Sequence, residues 1–331
     1  MQLVLHSRGL ALRVRAGAFM VKLEDIERRI SVEEVNSIAV TGGITLSSGA
    51  VRLAAKAGIP IYFFDAAGRA DACLRSPYFE SLALLRRKQV YFSDDIAGAV
   101  WVLEQFKLKT DGQLKNLKLV ADRVRASRSV LSSAIAELSE SNDVPDPSLL
   151  ISPSPEWSAR VMGHEGYLAR VYWSTLGAAL PRGWGFERRS RRPARDPFNA
   201  LLNYFYGILY ARTEQALFAA GLDPHLGILH ADEYDRPTLA YDLIEAFRPW
   251  VDRFLLEKIL RHQLPSEVTQ KKEQGYWIGN EAKRELIPSF NEYMEKRVRW
   301  RGRQMTRTAQ MYRHAAELAR HIEESTKRPN A

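Results

Sequence analysis

The 331-residue chain has one cysteine, Cys73. That excludes an internal disulfide and a zinc site built from several thiolates. No apolar run approaches the ~20 residues that a membrane helix requires. At the N-terminus Arg8, Arg13 and Arg15 interrupt the apolar residues, which is not the pattern of a secretory signal. A cytoplasmic protein is the expectation. The glycine-rich stretch Gly42 to Gly49 has the spacing of neither standard phosphate-cradling motif. What remains is ordinary globular composition, 46% hydrophobic and 26% charged, in a chain long enough for two domains.

Acidic charge is in deficit. The formal net charge is +9, which suits a polyanionic partner. Its distribution is more informative than its sum. From Lys296 to Arg328 ten Lys or Arg face three Glu, a local net of +7, and from Arg182 to Arg195 six Arg face one Glu. Clustering of this kind favours a nucleic-acid footprint over an evenly solvated surface.

Residues 1 to about 76 alternate as strands do. Leu3 and Leu5, then Leu10 to Val14, then Phe19, Val21 and Leu23 carry the period, and Ile30 to Val40 continue it. Thr45 to Ala57 is predicted as a helix capped by Ser47 or Ser48, followed by an apolar strand Ile59 to Phe64 and a last strand from Ala70 to Arg75. Ser76-Pro77 opens a linker, taken as 77–84. Beyond it the pattern is helical. The fold expected is α+β: a small N-terminal β-rich, β-sandwich-like domain (1–76) and a larger all-α C-terminal catalytic domain (85–305). A basic, partly mobile tail (306–331) follows.

Chemistry concentrates between Gly221 and Arg253. His230 closes the apolar run Leu226 to Leu229, and Asp242 and Glu245 follow three residues apart, on one face of a predicted helix. Pro249 cannot donate to the carbonyl of Glu245, so that helix should kink just after the acid. A histidine with two carboxylates is a donor set for a hard or borderline divalent cation. The acids sit among Ala240, Tyr241, Leu243, Ile244, Ala246 and Phe247, and acids in such a setting are at least partly buried and need a partner.

The wording of these segments resembles the CRISPR-associated integrase family, the universal adaptation endonuclease of CRISPR systems. It is carried by Gly221-Leu222-Asp223-Pro224, Gly227-Ile228-Leu229-His230 and Asp242-Leu243-Ile244-Glu245-Ala246-Phe247-Arg248-Pro249. A third piece is Glu165, Gly166, Ala169, Arg170, Tyr172 and Trp173. A fourth runs from Arg191 through Pro193, Asp196, Pro197 and Asn199 to Tyr204, and Gly58 to Phe63 matches in the N-terminal domain.

The resemblance implies a metal-dependent DNA endonuclease and integrase, which joins the 3′-hydroxyl of a captured DNA fragment to a phosphodiester at a CRISPR repeat. It implies catalytic Glu165, His230, Glu245 and Asp242. Mg²⁺ or Mn²⁺ would be held by Glu165, His230 and Glu245, with Asp242 an auxiliary ligand or an orienter of His230. His164 is expected not to ligate. Double-stranded DNA would be held by Arg170, Arg188, Arg189, Arg191, Arg192 and Arg248, aided by lysines between Lys107 and Arg125. A homodimer through the N-terminal domain and a small ferredoxin-like companion protein are also implied, and no membrane. The alternatives are a structure-selective metal nuclease or transposase-like relative, and a non-catalytic basic DNA-binding scaffold.

Overall fold

The computed structural model describes residues 2–35, 37–64, 70–74, 83–141, 155–230, 236–265 and 267–325. The chain is a mixed α+β protein of two compact units, Met1–Leu84 and Leu85–Ala331. The expected linker and the Pro/Ser-rich connection from Asn142 to Pro155 lie almost wholly outside the described residues.

The first unit has strands β1 (Gln2–Leu5), β2 (Ala11–Arg15), β3 (Ala18–Leu23), β4 (Ile26–Ile30), β5 (Ser37–Val40) and β6 (Thr45–Leu46). Helix α1 (Ser48–Lys56) precedes β7 (Ile61–Phe64) and β8 (Ala70–Leu74). They form two four-stranded sheets, β4-β3-β2-β6 and β1-β5-β7-β8. Leu12 and Phe19 from the first sheet and Leu5, Ile38 and Ile61 from the second share one apolar core with Ala50 and Ala54 of α1. The helix starts later than predicted. Thr45 and Leu46 pair in parallel with Ala11 and Leu12, and the Ser47 hydroxyl then caps α1 by accepting from the Ala50 N–H at 3.2 Å.

The second unit opens with α2 (Ala83–Ser93), α3 (Ile96–Arg123), α4 (Arg128–Glu140), α5 (Pro155–Ala179) and α6 (Pro197–Ala219). The short α7 (Thr238–Ile244) and α8 (Arg248–Leu260) follow. Helix α6 runs through its middle. The Asp196 side chain accepts from the Asn199 N–H and Pro197 fills the first turn. Phe198, Leu201, Leu202, Phe205 and Leu209 are fully buried along it.

The expectation of an all-α second domain is corrected. Two hairpins interrupt it, β9 (Thr269–Lys272) with β10 (Gly275–Ile278), and β11 (Arg297–Trp300) with β12 (Arg303–Thr306), flanking helix α9 (Asn280–Glu295). Their strands are four residues each, so an alternation such as that of Arg297-Val298-Arg299-Trp300, exposed and half-buried by turns, is too short to stand out. Nor does a tail begin at 306. Arg307–Ser325 is helix α10, whose buried Met311, Ala315, Leu318 and Ile322 form a stripe packed on α6 and α9. The residues expected to be mobile, 326–331, lie outside the described residues. No described helix is long and apolar enough to cross a membrane.

Candidate active site

Helix α3 begins at an Asp95 cap, whose carboxylate accepts from the Ala97 N–H at 2.8 Å, and nearly half of its residues are buried. The buried stripe contains Gln105, Lys109, Gln113 and Asn116 as well as Val102, Leu117 and Val120. A lysine drawn inside must meet negative charge. The Lys109 ammonium meets two carboxylates, Glu165 on α5 through Oε1 and Glu245 through Oε2 at 2.5 Å.

Glu245 stands at the break between α7 and α8. The Phe247 N–H returns to the Ile244 carbonyl at 2.8 Å, and Pro249 takes the first turn of α8. The predicted interruption after the acid is therefore present, as a full break between two helices. It lets Arg248 fold back: its Nε donates to Glu245 Oε1 at 2.6 Å, and its terminal nitrogen donates to the Tyr210 hydroxyl. The guanidinium carbon lies 5.0 Å from the Tyr206 ring centroid and 5.3 Å from that of Tyr210.

Burial alone would raise the Glu245 carboxyl, but Arg248 and Lys109 outweigh it and hold it at about 2. Burial likewise works to lower Lys109, and Glu245 and Glu165 overcome it, so the ammonium's pKa is raised. The lysine stays charged and both glutamates face a fixed cation. Glu245 Oε2 is buried. Its partner is the Lys109 ammonium, whose charge and hydrogen bond both help to lower the carboxyl.

The second half of the site is the loop ahead of α7. Gln89 of α2 clamps the Gly221–Pro224 turn by donating to the Asp223 carbonyl at 2.7 Å and accepting from its N–H at 3.0 Å. Gly227 is obligatory in this loop: a Cβ there would sit 2.4 Å from the His230 carbonyl oxygen and 2.7 Å from Thr238 Cβ. The loop closes on Asp242. Oδ2 accepts from the N–H groups of Ile228 and Leu229 at 2.7 and 3.2 Å, and Oδ1 from the His230 N–H at 3.3 Å. His230 Nδ1 lies 2.6 Å from the same Oδ1, and the imidazole edge packs on Tyr241. Burial tends to lower the imidazole, but the Asp242 hydrogen bond and charge prevail and its pKa is raised. A proton fixed on Nδ1 leaves Nε2 as the coordinating atom.

The four expected catalytic residues thus fall into two pairs. Glu165 and Glu245 converge on one ammonium, and His230 is bound to Asp242. Among the described residues no three metal-ligating side chains meet in one cluster as placed, so His230 does not join the glutamates directly, although the Glu245 charge acts on it. The donor chemistry suits a divalent cation: two carboxylates beside a fixed positive charge, and an imidazole oriented by an acid.

Lys109, one of the lysines expected to hold DNA, is corrected: it is buried between Glu165 and Glu245. The readable signal is the run of polar residues at helical spacing on an otherwise apolar stripe of α3. His164, expected not to ligate, lines a small cavity with Phe106, Lys109 and Glu165, and its Nε2 is buried without a hydrogen-bond partner.

Two of the six expected DNA-contacting arginines are corrected. Arg248 is buried against Glu245 and two tyrosines, as above. Arg189 donates to Asn199 Oδ1 at 2.8 Å and Asn203 Oδ1 at 2.6 Å and lies over the Tyr206 ring. Both guanidiniums are consumed internally, and the two asparagines brace the arginine loop. Arg170, Arg188, Arg191 and Arg192 are exposed. Beneath the site Asp252 is buried and accepts from the Tyr172 hydroxyl at 3.1 Å and from that of Tyr206. Burial pushes its carboxyl to about 6 against the lowering pull of those hydrogen bonds.

Comparison with known proteins gives this geometry a context. Residues 3–292 match the family model described as CRISPR associated protein Cas1. The CRISPR-associated endonuclease Cas1 1 of Thermus thermophilus is 31% identical over 298 residues, 88% of this chain and 86% of that protein. That of Archaeoglobus fulgidus is 29% identical over 332 residues, 96% and 95% of the two chains. Among solved structures, a casposase bound to its integration product aligns with a TM-score of 0.70 at 23% identity, covering 99% of this chain and 92% of the other. A Cas1 protein of Thermotoga maritima aligns with a TM-score of 0.70 at 20% identity over the full length of both. These last two share the fold. With a family model covering most of its length and an endonuclease relative above 30% identity over nearly nine-tenths of it, the chain belongs to the Cas1 family of CRISPR-associated proteins.

Proposed function

We propose that this chain is a CRISPR adaptation integrase: a DNA endonuclease and strand-transfer enzyme that inserts DNA fragments into a CRISPR repeat. The observation that carries the reading is the convergence of Glu165 and Glu245 on one buried cation beside an Asp242-oriented His230, in a chain of Cas1 lineage. Glu165, Glu245 and His230 Nε2 are the groups that would hold a divalent ion, Mg²⁺ or Mn²⁺. When bound, such an ion supplies Lewis-acid stabilisation to a phosphoryl group undergoing in-line displacement.

The protein's own groups do the remainder. Arg248 fixes the Glu245 carboxylate in its ionised state and in one rotamer. Asp242 sets the tautomer of His230 while closing the loop that carries it. Lys109 keeps positive charge at the point where phosphate oxygens would gather negative charge, which a dry, preorganised setting makes effective. Strand transfer forms a bond from the fragment's 3′-oxygen to phosphorus and breaks the phosphorus–O3′ bond of the target. The attacking hydroxyl loses a proton and the departing oxygen takes one.

Arg188, Arg191, Arg192 and Arg170 would hold phosphates by charge with little sequence reading. Two strand joinings per inserted fragment call for two centres, so the enzyme acts as a homodimer through residues 1–76, whose sheets leave β1, β4, β6 and β8 as edge strands. A solved Cas6-RT-Cas1–Cas2 complex aligns with this chain at a TM-score of 0.71. We extend its composition to propose a small, ferredoxin-like companion protein as partner here as well.

The test is integration of a short DNA duplex into a supercoiled CRISPR-bearing plasmid with Mg²⁺, Mn²⁺ or chelator. Joined product is expected with metal and none with chelator, and Glu165→Gln, His230→Ala and Glu245→Gln should each abolish it. Metal-independent binding without any cleavage or joining would make the chain a DNA-binding scaffold instead.

A further inference from the structure

All seven tryptophans lie in described residues, and Trp277 alone is exposed, at 53%. It sits on β10 of the β9–β10 hairpin. Strand alternation turns Ile278 into the core, where it is 9% exposed, and sets Trp277 outward. Trp277 is paired in register with Gln270. The Lys272 ammonium lies 5.8 Å from its ring centroid, and that of Lys271 lies 5.9 Å from the ring of Tyr276.

A lone two-stranded ribbon is marginal in water, so an exposed indole on one would ordinarily be displayed loosely. This ribbon is fastened. The Tyr276 N–H donates to the Ala194 carbonyl at 2.9 Å, and a Cβ at Gly275 would lie 2.4 Å from that same oxygen. Only glycine permits so close an approach. Ala194 belongs to the arginine loop, which Asn199 and Asn203 hold on α6 through Arg189, Ser190 and the Arg188 and Arg191 carbonyls. The indole is therefore held at a fixed place beside Lys272, on a hairpin fastened to the loop that carries Arg191, Arg192 and Arg195, all exposed.

We infer that Trp277 is a stacking platform for an unpaired base of a DNA strand whose phosphates are held by Lys272 and the arginine loop. This rests on the DNA-processing reading above and adds a nucleotide site to it. These cations select a polyanion. The exposed ring selects an unpaired base, because bases inside a duplex have both faces covered by their neighbours and offer only edges and phosphates, whereas a base out of the stack offers its face to an aromatic ring.

The test is binding of the full chain to fluorescently labelled DNA of two kinds, a blunt duplex and the same duplex with splayed single-stranded arms. Trp277→Ala should weaken binding to the splayed DNA about 5- to 100-fold and leave the blunt duplex within about twofold. Trp277→Phe should restore most of the loss. Equal weakening on both DNAs, or none on either, overturns the stacking site while leaving the DNA reading intact. A change of oligomeric mass in Trp277→Ala by light scattering would assign the indole to a protein interface and overturn it too. If the wild-type chain binds neither DNA, the proposed function falls and this site with it.

Discussion

Asp242 offers the sharpest test of how the site is built, because the structure gives it a task that differs from metal ligation. Its carboxylate accepts from three consecutive backbone N–H groups and from His230 Nδ1. Replacing it with alanine leaves those donors without an acceptor. A buried donor deprived of its partner costs about 1–3 kcal/mol. Leu229 is buried, whereas Ile228 and His230 are half-buried and can recruit water, so the sum is about 4 kcal/mol. For a unit of this size, at about 2–4 °C per kcal/mol, that lowers Tm by roughly 8–16 °C.

Asp242→Asn should behave differently. Its amide oxygen can still serve the Ile228 and Leu229 N–H groups, so the stability loss should stay near 1 kcal/mol, the ordinary value of one hydrogen bond. Its NH₂ group, however, then faces His230 Nδ1 as a donor. That moves the imidazole proton to Nε2 and blocks the atom proposed to coordinate, with an expected fall of about 10- to 100-fold in metal affinity. The assay is a thermal melt followed by circular dichroism in chelator, with Mn²⁺ titration by calorimetry. If the alanine variant melts with the asparagine variant, the loop-clamp argument fails. If the asparagine variant keeps wild-type metal affinity and strand transfer, the argument about tautomer and orientation fails.

Lys109→Met removes the cation that Glu165 and Glu245 share and leaves Glu245 with Arg248 alone, so in chelator it should lose about 3–5 kcal/mol, the cost of breaking a buried pair. Mn²⁺ should recover much of that in the melting temperature, and an unchanged melt in chelator would contradict the pairing. Asp252, raised to about 6, binds a proton in the folded state that the unfolded chain has already released. Its contribution is thus full below about pH 4 and lost as pH rises through 6, on the order of 3 kcal/mol for two pKa units. Asp252→Asn should flatten that part of the stability–pH curve, and parallel curves for the two proteins would refute the assignment. His230 has a raised pKa and must be neutral to coordinate, so metal affinity should climb as pH passes that raised value; affinity flat from pH 6 to 8 would exclude the imidazole as a ligand. Changing Arg188, Arg191 and Arg192 together to Gln should reduce the slope of log affinity against log salt by about 0.9 for each phosphate that is no longer neutralised, and an unchanged slope would place the loop away from DNA.

Much of this protein was legible in its amino-acid order. Short-range rules offered Ser47 or Ser48 as the cap of α1 and placed an interruption just after Glu245. Each depends only on what a hydroxyl or a proline does to the few backbone groups beside it. The four acidic and imidazole residues were likewise visible, through segments whose wording is that of the Cas1 family. Long-range charge pairing was not legible. Lys109 finds Glu165 across 56 positions of sequence, and in the chain it is one lysine among several on a long helix. Arg189 and Arg248 look like their exposed neighbours until α6 supplies Asn199, Asn203, Tyr206 and Tyr210 to absorb them. The two hairpins escape a sequence reading because four-residue strands are too short for an apolar period to stand out, and α10 reads as a tail because its positive charge obscures the stripe it buries. The sequence determined which groups the site contains and where helices begin and break. The tertiary structure decided which charges cancel inside, which remain outside for a partner, and that Asp242 holds a loop closed, because each of those outcomes depends on groups that only folding brings within a few ångströms of one another.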